Sequence, residues 1–183
     1  MLAIVLNRID FRESDQMILV YTKEKGKLNL LARGVKKIIS KNSAHLEPFS
    51  LVEIEMVPGK EIDHLTKVVP VNYFSNIRAD LQKSLAAGFV VSTTDKLLHT
   101  HEPDKRIFDL LFNWLESVNL RAYSLGPIAS VDGYIVSLLH CLGYDIAQVN
   151  AHPDHDFIYK FLLFHTERKI ADWADLTKIS IDL

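Results

Sequence analysis

Three groups of residues in this sequence have types and spacings that can do chemistry. The first is basic: Lys23, Lys25, Lys27, Arg33, Lys36, Lys37 and Lys41 place seven positive charges between residues 23 and 41 against one acid, Glu24. Such a run offers donors to phosphates and marks where an anionic partner would bind. Composition alone fits a solvated basic loop with no partner as readily. The second group is Glu53 and Glu55, two carboxylates that share one face of an extended segment. Paired acids can serve acid–base catalysis, but neighbouring acids on a wet strand face are ordinarily just solvated, and that is the preferred reading. The third is histidine: of eight, His99 and His101 stand two apart, and His152 and His155 flank Pro153 and Asp154. A closed zinc site needs four ligands and no cysteine pair stands near either cluster, so surface histidines are the better account. Phosphate-loop, dinucleotide-fingerprint and nucleophile-elbow motifs are absent, and only seven glycines are present.

The elements that must position these groups change character near residue 75. Before it, short apolar runs read as strands at Leu2–Ile9, Gln16–Thr22, Lys27–Arg33, Leu51–Val57 and Ile62–Val69, with turn residues Glu24-Lys25-Gly26 and Pro58-Gly59 between neighbours. In the fourth, Val52, Ile54 and Met56 alternate with Glu53 and Glu55, the pattern of a strand with one wet face. Five strands in this length predict a small closed or nearly closed barrel, with the oligonucleotide/oligosaccharide-binding (OB) fold as first candidate. Four aromatics near the strands, Phe11, Tyr21, Phe49 and Tyr73, are either core or stacking platforms for bases, core being the more usual fate.

After Phe74 the apolar period lengthens to that of a helix. Leu81, Leu85 and Phe89 mark a first helix ending near His99–Asp104, and Ile107, Leu111, Leu115 and Val118 mark a second. A third starts near Gly126-Pro127, buries Ile128, Ile135, Leu139 and Leu142, and stops at Gly143. The last opens at Pro153, with Asp154 and Asp156 in its first turn and Arg168 and Lys169 near its end. The expected fold class is therefore α+β in two domains: a five-stranded barrel over residues 1–75 and an all-α bundle over residues 76–183.

A chain of 183 residues, 48% hydrophobic and 24% charged, can bury a core and is neither disordered nor a large multidomain enzyme. No apolar run is long enough to span a bilayer and the first residues lack an export signal's basic start, so the expectation is a cytoplasmic protein with no membrane role. The one cysteine, Cys141, is consistent with a reducing compartment. The net charge of −2 is unevenly spread: residues 1–76 carry 11 basic against 9 acidic side chains, and the remainder carries 10 against 14.

Longer stretches resemble a known family. The run Val5-Leu6 through Phe11-Arg12-Glu13-Ser14-Asp15, then Tyr21-Thr22-Lys23-Glu24-Lys25-Gly26-Lys27, Leu31-Ala32-Arg33-Gly34-Val35-Lys36-Lys37 and Leu46-Glu47-Pro48-Phe49-Ser50, resembles in order and spacing the bacterial DNA repair proteins of the RecO family. Ile77-Arg78-Ala79-Asp80-Leu81 and Leu142-Gly143-Tyr144 extend the likeness more weakly to about residue 145. The resemblance implies an N-terminal OB barrel joined to a helical domain, and a recombination mediator rather than an enzyme. It implies binding of single- and double-stranded DNA, annealing of complementary strands, contact with the acidic tail of single-stranded DNA-binding protein, and action with RecR to help load RecA. It places DNA contacts on Ala32-Arg33-Gly34 and the lysines that follow. Many members carry a zinc-binding cysteine module after the segment matching Leu142-Gly143-Tyr144; here Asp145–Ala151 contains no cysteine, which implies a trimmed, zinc-free helical domain with no metal cofactor.

The alternative from another class is a protein-interaction adaptor whose barrel binds DNA weakly or not at all. The bundle's aromatic stock, Phe108, Phe112, Trp114, Phe157, Phe161 and Trp173, exceeds what one narrow helix face can bury, and part of it is expected either in the core or in a groove for an acidic peptide with an apolar end.

Overall fold

The computed structural model describes residues 1–35, 43–120, 127–166, 170 and 173–174. Lys36, Lys37 and Lys41 of the basic run, and Arg168 and Lys169 of the last helix, lie outside the described residues. Five strands form a closed barrel in the order β1-β2-β3-β5-β4: β1 (Leu2–Asp10), β2 (Gln16–Thr22), β3 (Gly26–Ala32), β4 (Leu51–Val57) and β5 (Asp63–Asn72). All pairings are antiparallel except β3 with β5, which run parallel through Leu30↔Asp63 and Leu31↔His64. Closure needs bent strands, and register shifts between Val5 and Asn7 in β1 and between Glu55 and Met56 in β4 supply the bends.

The alternation read in β4 is realised: Val52 and Ile54 are buried and Met56 packs against the same core, while Glu53 and Glu55 face solvent. Ala3, Val5, Ile18, Val20, Leu28 and Leu30 fill the barrel from the neighbouring strands. Glu55 lies opposite Lys67 and accepts a 2.7 Å hydrogen bond from its ammonium. That bond, aided by the ammonium's charge, holds the Glu55 carboxyl below its ordinary value, so it is an ionised partner of Lys67 rather than a proton donor.

The helices are α1 (Ser75–Arg78), α2 (Leu81–Leu97), α3 (Lys105–Leu120), α4 (Pro127–Cys141), α5 (Ile146–Val149) and α6 (His155–Thr166). Two compact units result, one comprising Met1–Phe74 with Leu98–Phe108, the other Ser75–Leu97 with Asp109–Leu183. In the helical unit Thr94 Oγ1 lies 2.7 Å from the Val90 carbonyl, to which it donates, and 2.6 Å from the Tyr134 hydroxyl, which is left to donate to it. Asp132 accepts from both Trp173 Nε1 at 2.7 Å and His155 Nδ1 at 2.9 Å. Helix α4 ends as its glycine signals: Gly143 takes φ +91°, Tyr144 N donates to Leu139 O and Gly143 N to His140 O, the paired closure that only a residue tolerant of positive φ makes cheaply. Two helix starts are capped by aspartates. Asp80 accepts from Lys83 N and caps α2, whose first residue, Leu81, is 53% exposed. Asp154 caps α6 in the same way through Phe157 N, so that helix opens at His155 rather than Pro153.

Candidate nucleic-acid interface

Register decides which charges share a surface. Strands β2 and β3 pair from Thr22↔Gly26 at the hairpin turn to Gln16↔Ala32 at the far end. Six residue steps at strand rise separate these ends by about 20 Å. Lys23, Lys25 and Lys27 stand at the turn, whereas Arg33 follows the far end of the hairpin. Lys25 and Arg33 are exposed, and Lys23 is half-buried with its ammonium 5.9 Å from the Phe108 ring centroid. Lys27 is not a surface cation: the residue is 9% exposed and its ammonium donates to the Leu98 carbonyl at 3.3 Å. The backbone of the same residue takes part, since Lys27 bridges Thr100 in parallel and its carbonyl accepts from His101 N at 2.9 Å.

The four aromatics divide. Tyr21 is fully buried, with its hydroxyl accepting from Asp104 N at 3.1 Å and donating to Asp104 O at 3.2 Å, and Phe49 is buried. Phe11, 44% exposed, and Tyr73 are at the surface. Phe11 belongs to the loop between β1 and β2, where Phe11 N and Arg12 N both donate to the Asp15 carbonyl. The Asp15 carboxylate accepts from Gly34 N at 2.8 Å and so ties this loop to the turn that carries Arg33. The Arg12 guanidinium carbon lies 5.1 Å from the centroid of the Phe11 ring.

Across the parallel β3–β5 pairing stands the loop Pro58–Ile62. Asp63 accepts from Gly59 N at 3.3 Å, and a Cβ on Gly59 would lie 1.9 Å from the Ile62 carbonyl oxygen, so only glycine closes this loop without moving backbone. Phe11, Arg12, Lys60, Glu61 and His64 line one groove of about 170 Å³ between the two loops. In an OB barrel these two loops and the β2–β3 wall are where an oligonucleotide lies. An aromatic face with a guanidinium on it suits a base, and two cations suit its phosphates. Residue types alone single out neither Arg12 nor Lys60. Their positions in the first and last inter-strand loops of a five-stranded barrel were the available signal.

The helical aromatics also divide. Phe108, Trp114 and Trp173 are buried, Phe112, Phe157 and Phe161 are half-buried, and Phe164 on α6 is largely exposed. His99, His101 and His152 are exposed, while His155 is bound to Asp132. Among the described residues no group of three or more His, Cys, Asp or Glu side chains can hold a metal. With Cys141 the single cysteine of the sequence, a chelator is expected to leave the melting temperature unchanged; a drop of several degrees together with one zinc per chain would contradict this. No helix among the described residues is long and apolar enough to cross a membrane.

Comparison with known proteins agrees with this geometry. Residues 1–74, the whole barrel, match the family described as recombination protein O N terminal. The chain is 32% identical over 146 residues to the DNA repair protein RecO of Geobacter metallireducens, an alignment covering 76% of this chain and 60% of that one. It is 30% identical over 135 residues to the DNA repair protein RecO of an Anaeromyxobacter species, covering 68% and 53%. The corresponding protein of Shouchella clausii is 33% identical over 117 residues, covering 64% and 46%. The chain thus spans about half to three fifths of the length of the curated relatives it matches. The barrel of residues 1–74 is an OB-fold domain of the RecO N-terminal family, and the chain is similar to RecO proteins over about three quarters of its length.

Proposed function

We propose that this protein is a DNA repair and recombination mediator that binds single- and double-stranded DNA non-specifically, through phosphates, and anneals complementary strands. In this reading it works in the cytoplasm, with RecR and the acidic tail of single-stranded DNA-binding protein, to help load RecA. The observation that carries the proposal is the groove in which Phe11, Arg12 and Lys60 meet on a barrel of this family. The mechanism needs no covalent step. Cations neutralise phosphates, repulsion between two backbones falls, and base pairing nucleates. Two separated cationic ends, Arg12 with Lys60 and Arg33 at one and Lys25 with Lys23 at the other, suit a protein that must hold two backbones at once.

The test is a salt titration of binding to labelled single-stranded DNA. With about four phosphates neutralised, log affinity should fall against log salt with a slope near −3, as counterion release on single strands requires. Affinity that is weak and flat from low to physiological salt would favour the adaptor reading instead.

A further inference from the structure

His64 shares the groove of Phe11, Arg12 and Lys60, and strand register aims it there. It pairs with Leu31 on β3 and with Val57 on β4, and paired residues send their side chains to the same face of a sheet. Leu30 fills the barrel, so its neighbour Leu31 points out of the barrel to the groove floor, and Val57 is 46% exposed. The imidazole therefore lies on the outer face. A Cβ on Gly59 would come within 3.1 Å of His64 Cδ2, which places the ring against the loop that carries Lys60. Its Nδ1 is shut off from water and has no hydrogen-bond partner, a state that a native polar atom rarely keeps without a role. The charged groups around the ring are Arg12 from the β1–β2 loop and Lys60 and Glu61 from the β4–β5 loop. The other nearby acids are engaged: Asp63 accepts from Gly59 N, Asp15 from Gly34 N, and Glu55 pairs with Lys67. A further positive charge beside Arg12 and Lys60 is favoured most when a phosphate lies among them.

We infer that His64 is a proton-linked phosphate ligand: a strand entering the groove draws a proton onto the imidazole, and the imidazolium joins Arg12 and Lys60 in neutralising the backbone. The inference rests on the DNA-binding reading above and deepens it. It keeps binding non-specific, because every nucleotide carries the same phosphate. Lysine and arginine hold their charge throughout the physiological range, whereas histidine changes charge within it. Through this one residue the grip on DNA becomes a function of pH, and by linkage whatever favours the proton favours the strand. The salt slope should also steepen at lower pH, since a third cation in the groove releases a further counterion.

The experiment measures the affinity of the full chain for oligo-dT, which has no group titrating between pH 6 and pH 8, at fixed low salt. Binding should tighten about fivefold from pH 8 to pH 6, the change expected when a neighbouring phosphate makes an ordinary imidazole about ten times harder to deprotonate. His64→Gln should match the wild type at pH 8 and lose most of the gain at pH 6. His64→Lys, with its fixed charge, should bind at pH 8 about as tightly as the wild type does at pH 6. His99→Gln, which alters an exposed histidine outside the groove, should keep the whole gain. Binding heats in two buffers of different ionisation enthalpy need no variant, and should report uptake of about half a proton at pH 7. Zero uptake, affinity independent of pH, or a gain that survives in folded His64→Gln would overturn the assignment. Failure to bind oligo-dT at low salt at either pH would overturn the DNA-binding reading itself, a result distinct from tight binding that ignores pH.

Discussion

Reversing Arg12 and Lys60 together to Glu is expected to weaken binding to single-stranded DNA by roughly a hundredfold while leaving the fold intact. The size follows from the chemistry of a cation on a phosphate. A hydrogen bond to a charged group contributes about 1.5–3 kcal/mol, so removing two such bonds amounts to at least about 3 kcal/mol, or two decades in affinity. Reversal rather than neutralisation also places two carboxylates beside Glu61 in a groove that a polyanion must enter. Stability should move little, because both side chains are exposed and surface substitutions usually fall within about 0.5 kcal/mol each. The salt slope should become shallower, since fewer phosphates are neutralised and fewer counterions released. Annealing should fall with binding, and melting curves would show that the barrel is still present. A double variant that stays folded and binds with wild-type affinity would remove this groove from the interface and return attention to Lys25 and Arg33.

How much of the fold and the site is legible in the sequence depends on whether the cause is local. The strands are legible because β4 alternates Val52, Ile54 and Met56 with acids and because turn residues separate the runs; the helical half is legible from its longer period. Closure of the barrel follows from strand number. The site is less legible. Counting charges along the chain joins Lys23–Lys27 to Arg33, but a hairpin carries its two ends apart, and only the register Gln16↔Ala32 shows that Arg33 stands beside the loop of Phe11 and Arg12. Arg12 and Lys60 are distant in sequence, and it is the parallel pairing of β3 with β5, a crossover that no local pattern encodes, that brings their loops to one groove. The fate of Lys27 and of Tyr21 is hidden for a related reason. Lys27 reads as a surface cation and Tyr21 as either core or platform, and each is buried because a segment some seventy or eighty residues later supplies its partner, the carbonyl of Leu98 or the backbone of Asp104.

That later segment underlies the second large effect: Gly26→Ala should destabilise the barrel unit by about 3–5 kcal/mol. Gly26 opens β3 with φ +69°, where an L side chain costs about 1–2 kcal/mol by itself. A Cβ there would lie 2.3 Å from the Glu102 carbonyl oxygen and 2.7 Å from Pro103 N, and both are backbone atoms that no rotamer change can move aside. The segment Leu98–Phe108 must therefore shift away from the turn. In doing so it strains the bond from His101 N to the Lys27 carbonyl, the Lys27 ammonium on Leu98 and the Tyr21 hydroxyl on Asp104, and it loosens the buried side chains of Leu98, Ile107 and Phe108. Because the Lys27 ammonium donates to Leu98 O on this segment, detachment also removes that bond from a buried cation at the turn. At about 2–4 °C per kcal/mol for a chain of this size, the melting transition should drop by roughly 10 °C. Gly143→Ala is the comparison: φ there is also positive, at +91°, but nothing stands within 4 Å of the added Cβ, so only the conformational strain applies and the loss should be about a third as large. Hydrogen exchange locates the effect, since His101 N should lose protection in Gly26→Ala and keep it in Gly143→Ala. If the two variants melt alike, the close approach of Glu102 and Pro103 to the turn is not what holds this segment on the barrel.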